Sequence, residues 1–404
     1  MTENRFQRTD DNFRNLSAVS CSPPPAPDFG FDAPFDRTGT GSSKWARAAA
    51  PGVIPMGLAD MDLPGPPAVA EALERRARHR AYGYTVCDPA GRALVADWYR
   101  ARHGAEVDPD WVLLLPCGPR TALRLLLETV RPQAPVLFPT PEWGGFAQLC
   151  RAMRLAHHEL PLHLAPDGYR MPRGPLPRPA SAVLLSNPHN PSGRVWPTGT
   201  VRGLASWAAQ SGALLVSDEV HGDLTHPGRT HPVAATCADP ADRPSVVTLN
   251  SVGKTFNCSG IPSSFALVPD PRLRARLTDT LAGYGLWEGG LLEQTVQRAA
   301  LGEGGPWLDA LLAHLAAARS RLTDRLGPAV RSAPQASYLL WLDAAALGLP
   351  SQDARAALLE RCGLESSDGT DFGPGGAGSL RLNYALPGPL LDTVMARLDR
   401  LDRP

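Results

Sequence analysis

At 404 residues the chain exceeds what one ordinary hydrophobic core needs, so a large domain with a smaller companion is the natural expectation. Its 40 basic residues balance 40 acidic ones, which removes the electrostatic driving force for binding nucleic acid or an anionic membrane and leaves a small molecule as the expected partner. Seven cysteines (Cys21, Cys87, Cys117, Cys150, Cys237, Cys258, Cys362) without a C-x-x-C pair favour reduced thiols over a disulfide framework or a structural zinc site; with neither a signal-like apolar core near the N-terminus nor a run of about 18 uncharged apolar residues, a cytoplasmic protein is expected.

Residues 1–30 are polar, carry a PPPAP run and read as a flexible N-terminal tail. Residues 31–80 are expected to contribute to the small domain, 81–300 to form the large domain and 301–404 to form the small C-terminal domain. From Val112 onward, short apolar runs alternate with helical stretches: VLLL, TALRLLLETV, PVLFP, FAQLCRAMRL, SAVLLSN, VRGLASWAAQ, ALLVSDE, SVVTLN and SFALVP. This alternation is the signature of an α/β fold with a mostly parallel, buried sheet. Beyond Pro271 the pattern turns helical through LRARLTDTLAGY and WLDALLAHLAAARSRLTDRL. Two further strands, SYLLWLDA and SLRLNYA, are then flanked by amphipathic helices over 351–362 and 388–402.

Ligands of open α/β sheets sit beyond the carboxyl ends of the strands. Three apolar runs end in unusual polar groups: SAVLLSNPHNPSG in Asn187 and Asn190, ALLVSDEVH in Asp218, Glu219 and His221, and SVVTLNSVGKTFN in Ser251 and Lys254. The lysine is notable because only Lys44 and Lys254 of the 40 basic residues are not arginine. Arginine substitutes wherever charge alone matters, but a guanidinium cannot form an imine or exchange a proton near neutral pH. The GKT triplet superficially resembles a phosphate-binding loop, yet G-x-x-x-x-G-K-[ST] needs glycine where this chain has Thr248.

These segments resemble the fold-type I pyridoxal 5'-phosphate enzymes of the aminotransferase class I/II superfamily, and among them the cystathionine beta-lyases (cysteine S-conjugate beta-lyases) of the MalY/PatB type. GTGSSKW, PMGLADMDLP, YGYT, SNPHNPSGRVW, SDEVHGDL, SVGKTFN, YLLWLD, GTDFGPGG and LRLNYALP occur in that family's order from about residue 31 to the end. The resemblance implies an aspartate-aminotransferase-like α/β fold, a large domain with a mostly parallel sheet plus a smaller α+β domain. It implies that Lys254 holds the cofactor as a Schiff base and acts as general base. Asp218 would keep the pyridine nitrogen protonated, Asn190 and His221 would serve the phenolic oxygen, and Trp143 would stack on the ring. Arg381 would grip the substrate carboxylate with Ala59 beside it.

Phosphate contacts would come from Gly118, Pro119 and Arg120 at the opening of the GPRTALRLL helix, from Ser251, and from Tyr84 of a second subunit in a homodimer. Two departures stand out: Pro119 has no N–H to donate, and Gly253 replaces a serine common before the lysine. Charge-assisted contacts from Arg120 would compensate. The implied reaction is alpha,beta-elimination from a cysteine S-conjugate to a thiol, pyruvate and ammonia. Transamination and decarboxylation-linked deamination are the alternatives on the same residues, and a regulatory partner that binds a transcription factor is the alternative outside catalysis. The arginine-rich, lysine-poor composition points to a GC-rich bacterial source, where such enzymes tailor natural products.

Overall fold

A computed structural model describes residues 27–46, 48, 50–87 and 89–402. Most of the anticipated tail, residues 1–30, and Cys21 lie outside the described residues.

The alternating runs become a seven-stranded sheet of Val112–Leu115 (β1), Val136–Thr140 (β2), His157–Pro161 (β3), Ala182–Ser186 (β4), Leu214–Asp218 (β5), Val246–Asn250 (β6) and Ser264–Leu267 (β7). Its spatial order is β1-β7-β6-β5-β4-β2-β3, and β7 alone runs antiparallel to both of its neighbours. The central strands read as continuous apolar runs because both faces are covered. One face packs Leu113, Leu184, Val216 and Leu249 against helix Pro119–Val130 (α1) and its neighbours. The other packs Val183, Leu185 and Leu215 against helix Thr198–Ser211 (α2). Local signals set the ends of these helices: proline stands at the first position of α1, where its missing N–H costs nothing, and Gly212 closes α2 in a left-handed turn at φ 63°.

A second, four-stranded antiparallel sheet is built from Val330–Ser332 (β8), Leu339–Asp343 (β9), Ser367–Asp368 (β10) and Ser379–Asn383 (β11), in the order β8-β9-β11-β10. Helices Gly305–Leu326 (α3), Ala354–Cys362 (α4) and Gly388–Leu398 (α5) pack with it through Leu315, Leu322, Leu358 and Val394. The early segment joins this unit by a short parallel pairing of Ile54–Pro55 with Leu364–Glu365.

The strand registers position the site. Ser186 lies opposite Asp218 and Asp218 opposite Leu249, so the polar ends of β4, β5 and β6 emerge side by side. Among the described residues no helix is long and apolar enough to cross a membrane, no group of three or more His, Cys, Asp or Glu is placed to hold a metal, and no cysteine forms a disulfide.

Candidate active site

Beyond those strand ends lies a cavity of about 340 Å³. Ala59, Gly118, Pro119, Arg120, Trp143, Asn190, Asp218, His221, Ser251, Lys254 and Arg381 all line it. Asn187 and Glu219, singled out at the same strand ends, do not line it, and neither does Lys44; of the site residues that the resemblance implies only Tyr84 does not: it is 93 % exposed, with its ring edge-on to Trp287 at 5.3 Å.

Lys254 sits on a single helical turn, Val252–Thr255, directly after β6. Its ammonium donates to the Ala59 carbonyl, and burial lowers its pKa. Asp218 ends β5; burial pushes its carboxyl up to about 6, partly offset by the Val220 N–H that it accepts at 3.3 Å. Arg381 on β11 is 6 % exposed and donates to Asn190 Oδ1 at 2.9 Å, to Ser367 Oγ at 3.2 Å and to the Gly57 carbonyl at 2.7 Å. Its guanidinium also lies 4.9 Å from the centre of the Phe372 ring, and its Nε has no partner.

His221 is 4 % exposed, and burial together with the charges of Lys254 and Arg381 pushes its pKa down to about 3, so the ring is neutral at pH 7. Its Nδ1 lies 3.0 Å from Ser337 Oγ. Ser337 is itself 2 % exposed, so its hydroxyl hydrogen needs an acceptor, and Nδ1 is the one in reach. Nδ1 is therefore the acceptor, and the ring hydrogen sits on Nε2. Ser337 is pinned for this role at φ 70°, with its N–H on the Leu224 carbonyl at 2.8 Å and its carbonyl accepting from Tyr384 at 2.9 Å. Nitrogen-15 NMR at pH 7 should show His221 protonated at Nε2. Loss of that bond in Ser337→Ala, worth about 1 kcal/mol, should shift the tautomer ratio about fivefold; an unchanged ratio contradicts the assignment.

The two departures acquire physical reasons. Pro119 opens α1 without losing a helical hydrogen bond, and Arg120 beside it reaches the cavity while holding Gln148 Oε1 at 3.1 Å. Gly253 is closely surrounded: a Cβ there would lie 3.1 Å from Ser251 Oγ, 3.2 Å from Ser259 Cα and 3.3 Å from the Ser259 hydroxyl, so a serine would need these neighbours to give by a few tenths of an ångström. Ser251 is less free than its sequence position implies, since its hydroxyl donates to the Ser263 carbonyl at 2.6 Å and accepts from Gly253 N at 3.0 Å. Ser263, a cavity residue 2 % exposed, instead carries a hydroxyl with no partner. Ser259 and Ser263 were missed because they lie in the loop before β7 rather than at a strand end. Glu142 was missed too. This carboxyl, pushed up to about 8 by burial, accepts from the backbone N–H of Trp143 at 2.7 Å and of Ser186 at 3.2 Å, tying the indole to the end of β4.

A family model for aminotransferase class I and II matches residues 51–398. The chain belongs to that family. This aminotransferase-family chain is 33% identical over 371 residues to cystathionine beta-lyase PatB of Bacillus subtilis (strain 168), across 87% of the chain and 94% of that protein. It is 26% identical over 385 residues to Protein MalY of Escherichia coli (strain K12), across 92% and 98%. The fold matches that of cystalysin from Treponema denticola, whose crystal structure contains a pyridoxal 5'-phosphate cofactor, with a TM-score of 0.85 at 24% identity over 93% of this chain and 98% of that one.

The cavity of this family member fits the same group by its donor set. Among the residues that line it, the Asp218 carboxylate suits a protonated ring nitrogen, Trp143 offers a flat face, Asn190 and the His221 Nε2–H suit a ring oxygen, Lys254 supplies the amine, and Arg120 with the unpartnered hydroxyl of Ser263 suits a phosphate.

Proposed function

We propose that this protein is a pyridoxal-phosphate-dependent carbon–sulfur beta-lyase that converts a cysteine S-conjugate to a thiol, pyruvate and ammonia. The observation that carries this reading is the convergence of Lys254, Asp218 and Arg381 on one cavity in a chain similar along most of its length to a cystathionine beta-lyase.

When bound, the cofactor supplies an electron sink for the charge left on the substrate's alpha carbon. Arg381 holds the substrate carboxylate with a planar pair of N–H groups, and burial makes that contact strong. Lys254 Nζ takes the alpha proton, and its lowered pKa makes the neutral amine available for this nearer to neutral pH. Asp218 holds a proton on the ring nitrogen, while His221 Nε2 and Asn190 donate to the ring oxygen. Trp143 fixes the ring plane, so that the bond to be broken is set by Arg381 and Lys254 together. Tyr84, exposed in the single chain, is assigned to the phosphate end of a second copy, which makes the working unit a homodimer with shared sites. Bulky S-conjugates of bacterial natural-product pathways, in a cytoplasmic setting, are the substrates this reading favours.

Incubation with L-cystathionine and with S-benzyl-L-cysteine should release pyruvate and thiol in equal amounts. A 2-oxo acid that keeps its sulfur substituent would make the enzyme an aminotransferase instead, and carbon dioxide release would make it a decarboxylating deaminase.

A further inference from the structure

Lys44 is the chain's other lysine, and nothing in the proposed reaction uses it. It lies on the short turn Ser43–Ala46 with its side chain 1% exposed. Its ammonium is 2.7 Å from Asp62 Oδ2 and donates to the Asp60 carbonyl at 3.0 Å. Asp62, fully buried, also accepts from Trp45 Nε1 at 2.9 Å and from Arg37 Nη1 at 3.2 Å.

The Asp60 carbonyl ends a segment whose four consecutive carbonyls are each taken by a side chain. Gly57 accepts from Arg381 and from Ser367 Oγ at 2.8 Å, and Leu58 accepts from Asn383 Nδ2 at 2.8 Å. Ala59 accepts from Lys254 and from the Tyr338 hydroxyl at 3.3 Å, and Asp60 from Asn383 and Lys44. Residues 57–60 belong to no strand or helix, so these side chains supply the hydrogen bonds that a ladder would otherwise provide. Two of the donors are Lys254 and Arg381, the groups that meet the substrate in the proposed reaction.

The segment is also confined on its far side. A Cβ at Gly57 would lie 2.9 Å from the Ser366 carbonyl carbon, so the backbones are already in contact there. Lys44, Gly57, Leu58, Ser367 and Arg381 line one small cavity of about 180 Å³. An ammonium meets a carboxylate and a carbonyl from one compact centre on a slender stem, which suits this enclosed position.

We propose that Lys44 is a positioning residue for the reaction: through the Asp60 carbonyl it holds segment Gly57–Asp60 as the wall against which Lys254 and Arg381 are aimed. The inference rests on the lyase reading above, and a merely structural anchor is its rival. Lys44→Met strands the Asp62 carboxylate and should lower thermal stability. Lys44→Met/Asp62→Asn removes that stranded charge and keeps an acceptor for Trp45, but still lacks the donor to Asp60.

The double variant should therefore recover the melting temperature of the unaltered enzyme and still fall on the order of tenfold to a hundredfold in kcat/KM, the scale expected for a small misplacement of reacting groups. Its affinity for alpha-methyl-L-serine, an amino acid with no alpha proton to lose, should weaken about tenfold when followed by the shift in the bound cofactor's absorption band, while cofactor affinity stays within about twofold. A double variant that regains kinetics and ligand affinity along with stability would reduce Lys44 to an anchor and overturn the proposal. The unaltered holoenzyme serves as the separate control: without lyase activity in it the functional reading fails, whatever the variants do.

Discussion

Lys254→Ala should lower turnover of a cysteine S-conjugate by at least about 10⁴-fold, because one amine holds the cofactor and also removes the alpha proton. Nothing else on the cavity can take over. The other lysine is engaged with Asp62 and the Asp60 carbonyl, His221 is held neutral with its hydrogen on Nε2, and arginine keeps its proton. Lys254→Arg should be as inactive as the alanine variant, although it keeps the charge. Methylamine supplied from solution should restore part of the activity of Lys254→Ala and none of the activity of Lys254→Arg, whose side chain fills the space. Substantial turnover in Lys254→Arg would show that charge, not imine and proton chemistry, is what position 254 contributes.

Asp218→Asn should lower turnover by about 10²–10³-fold, the size of effect seen when a fixed electrostatic partner of a reacting centre is removed. It should also change how the protein responds to pH. With its carboxyl pushed up to about 6, the folded chain without cofactor holds a proton that an unfolded chain, at an ordinary aspartate value of 3.8, has already lost. That excess proton means Asp218's contribution to the stability of the cofactor-free fold is lost as pH rises from about 4 through 6, the reverse of the usual carboxylate behaviour. Cofactor binding runs the other way: only the ionised carboxylate can pair with a protonated ring nitrogen, so affinity should rise over the same window. Titration of the cofactor's own phosphate near pH 6 adds to that rise. Asp218→Asn should remove this one contribution to the stability slope, leaving those of other buried groups such as His221 and Glu142, and should remove the carboxylate part of the binding slope, as read from the difference between variant and unaltered protein in melting temperatures and cofactor titrations at pH 4.5, 6 and 7.5.

Much of the large sheet was legible because its strands are buried on both faces and so read as unbroken apolar runs. Leu184 and Leu185 in β4 or Leu215 and Val216 in β5 admit few other interpretations. Strand β3 was not legible. HHELP carries two histidines and a glutamate at the sheet edge, where only Leu160 is buried, so neither apolarity nor clean alternation announces it. The helix expected over 351–362 begins at Ala354, and the one expected over 388–402 becomes a tighter 3-10 turn from Asp399.

The site divides in the same way. Asp218, Asn190 and Lys254 could be found because strand ends converge by topology. Ser263, Glu142 and Ser337 could not, since their importance lies in a hydroxyl left without a partner, a carboxyl taken out of water, and a tautomer fixed from 116 residues away in the chain. Lys44 drew notice by its rarity and by lying in GTGSSKW, but its pairing with Asp60 and Asp62 became visible only in the folded chain. Tyr84 is exposed and does not line its own chain's cavity.

With only two lysines in the chain, one measurement reaches the central claim directly. The purified protein, loaded with pyridoxal 5'-phosphate, is reduced with borohydride, digested, and its peptides are weighed. A pyridoxyl adduct on the peptide containing Lys254, with Lys44 unmodified, is the predicted result; an adduct on Lys44, or none on either lysine, would contradict the account.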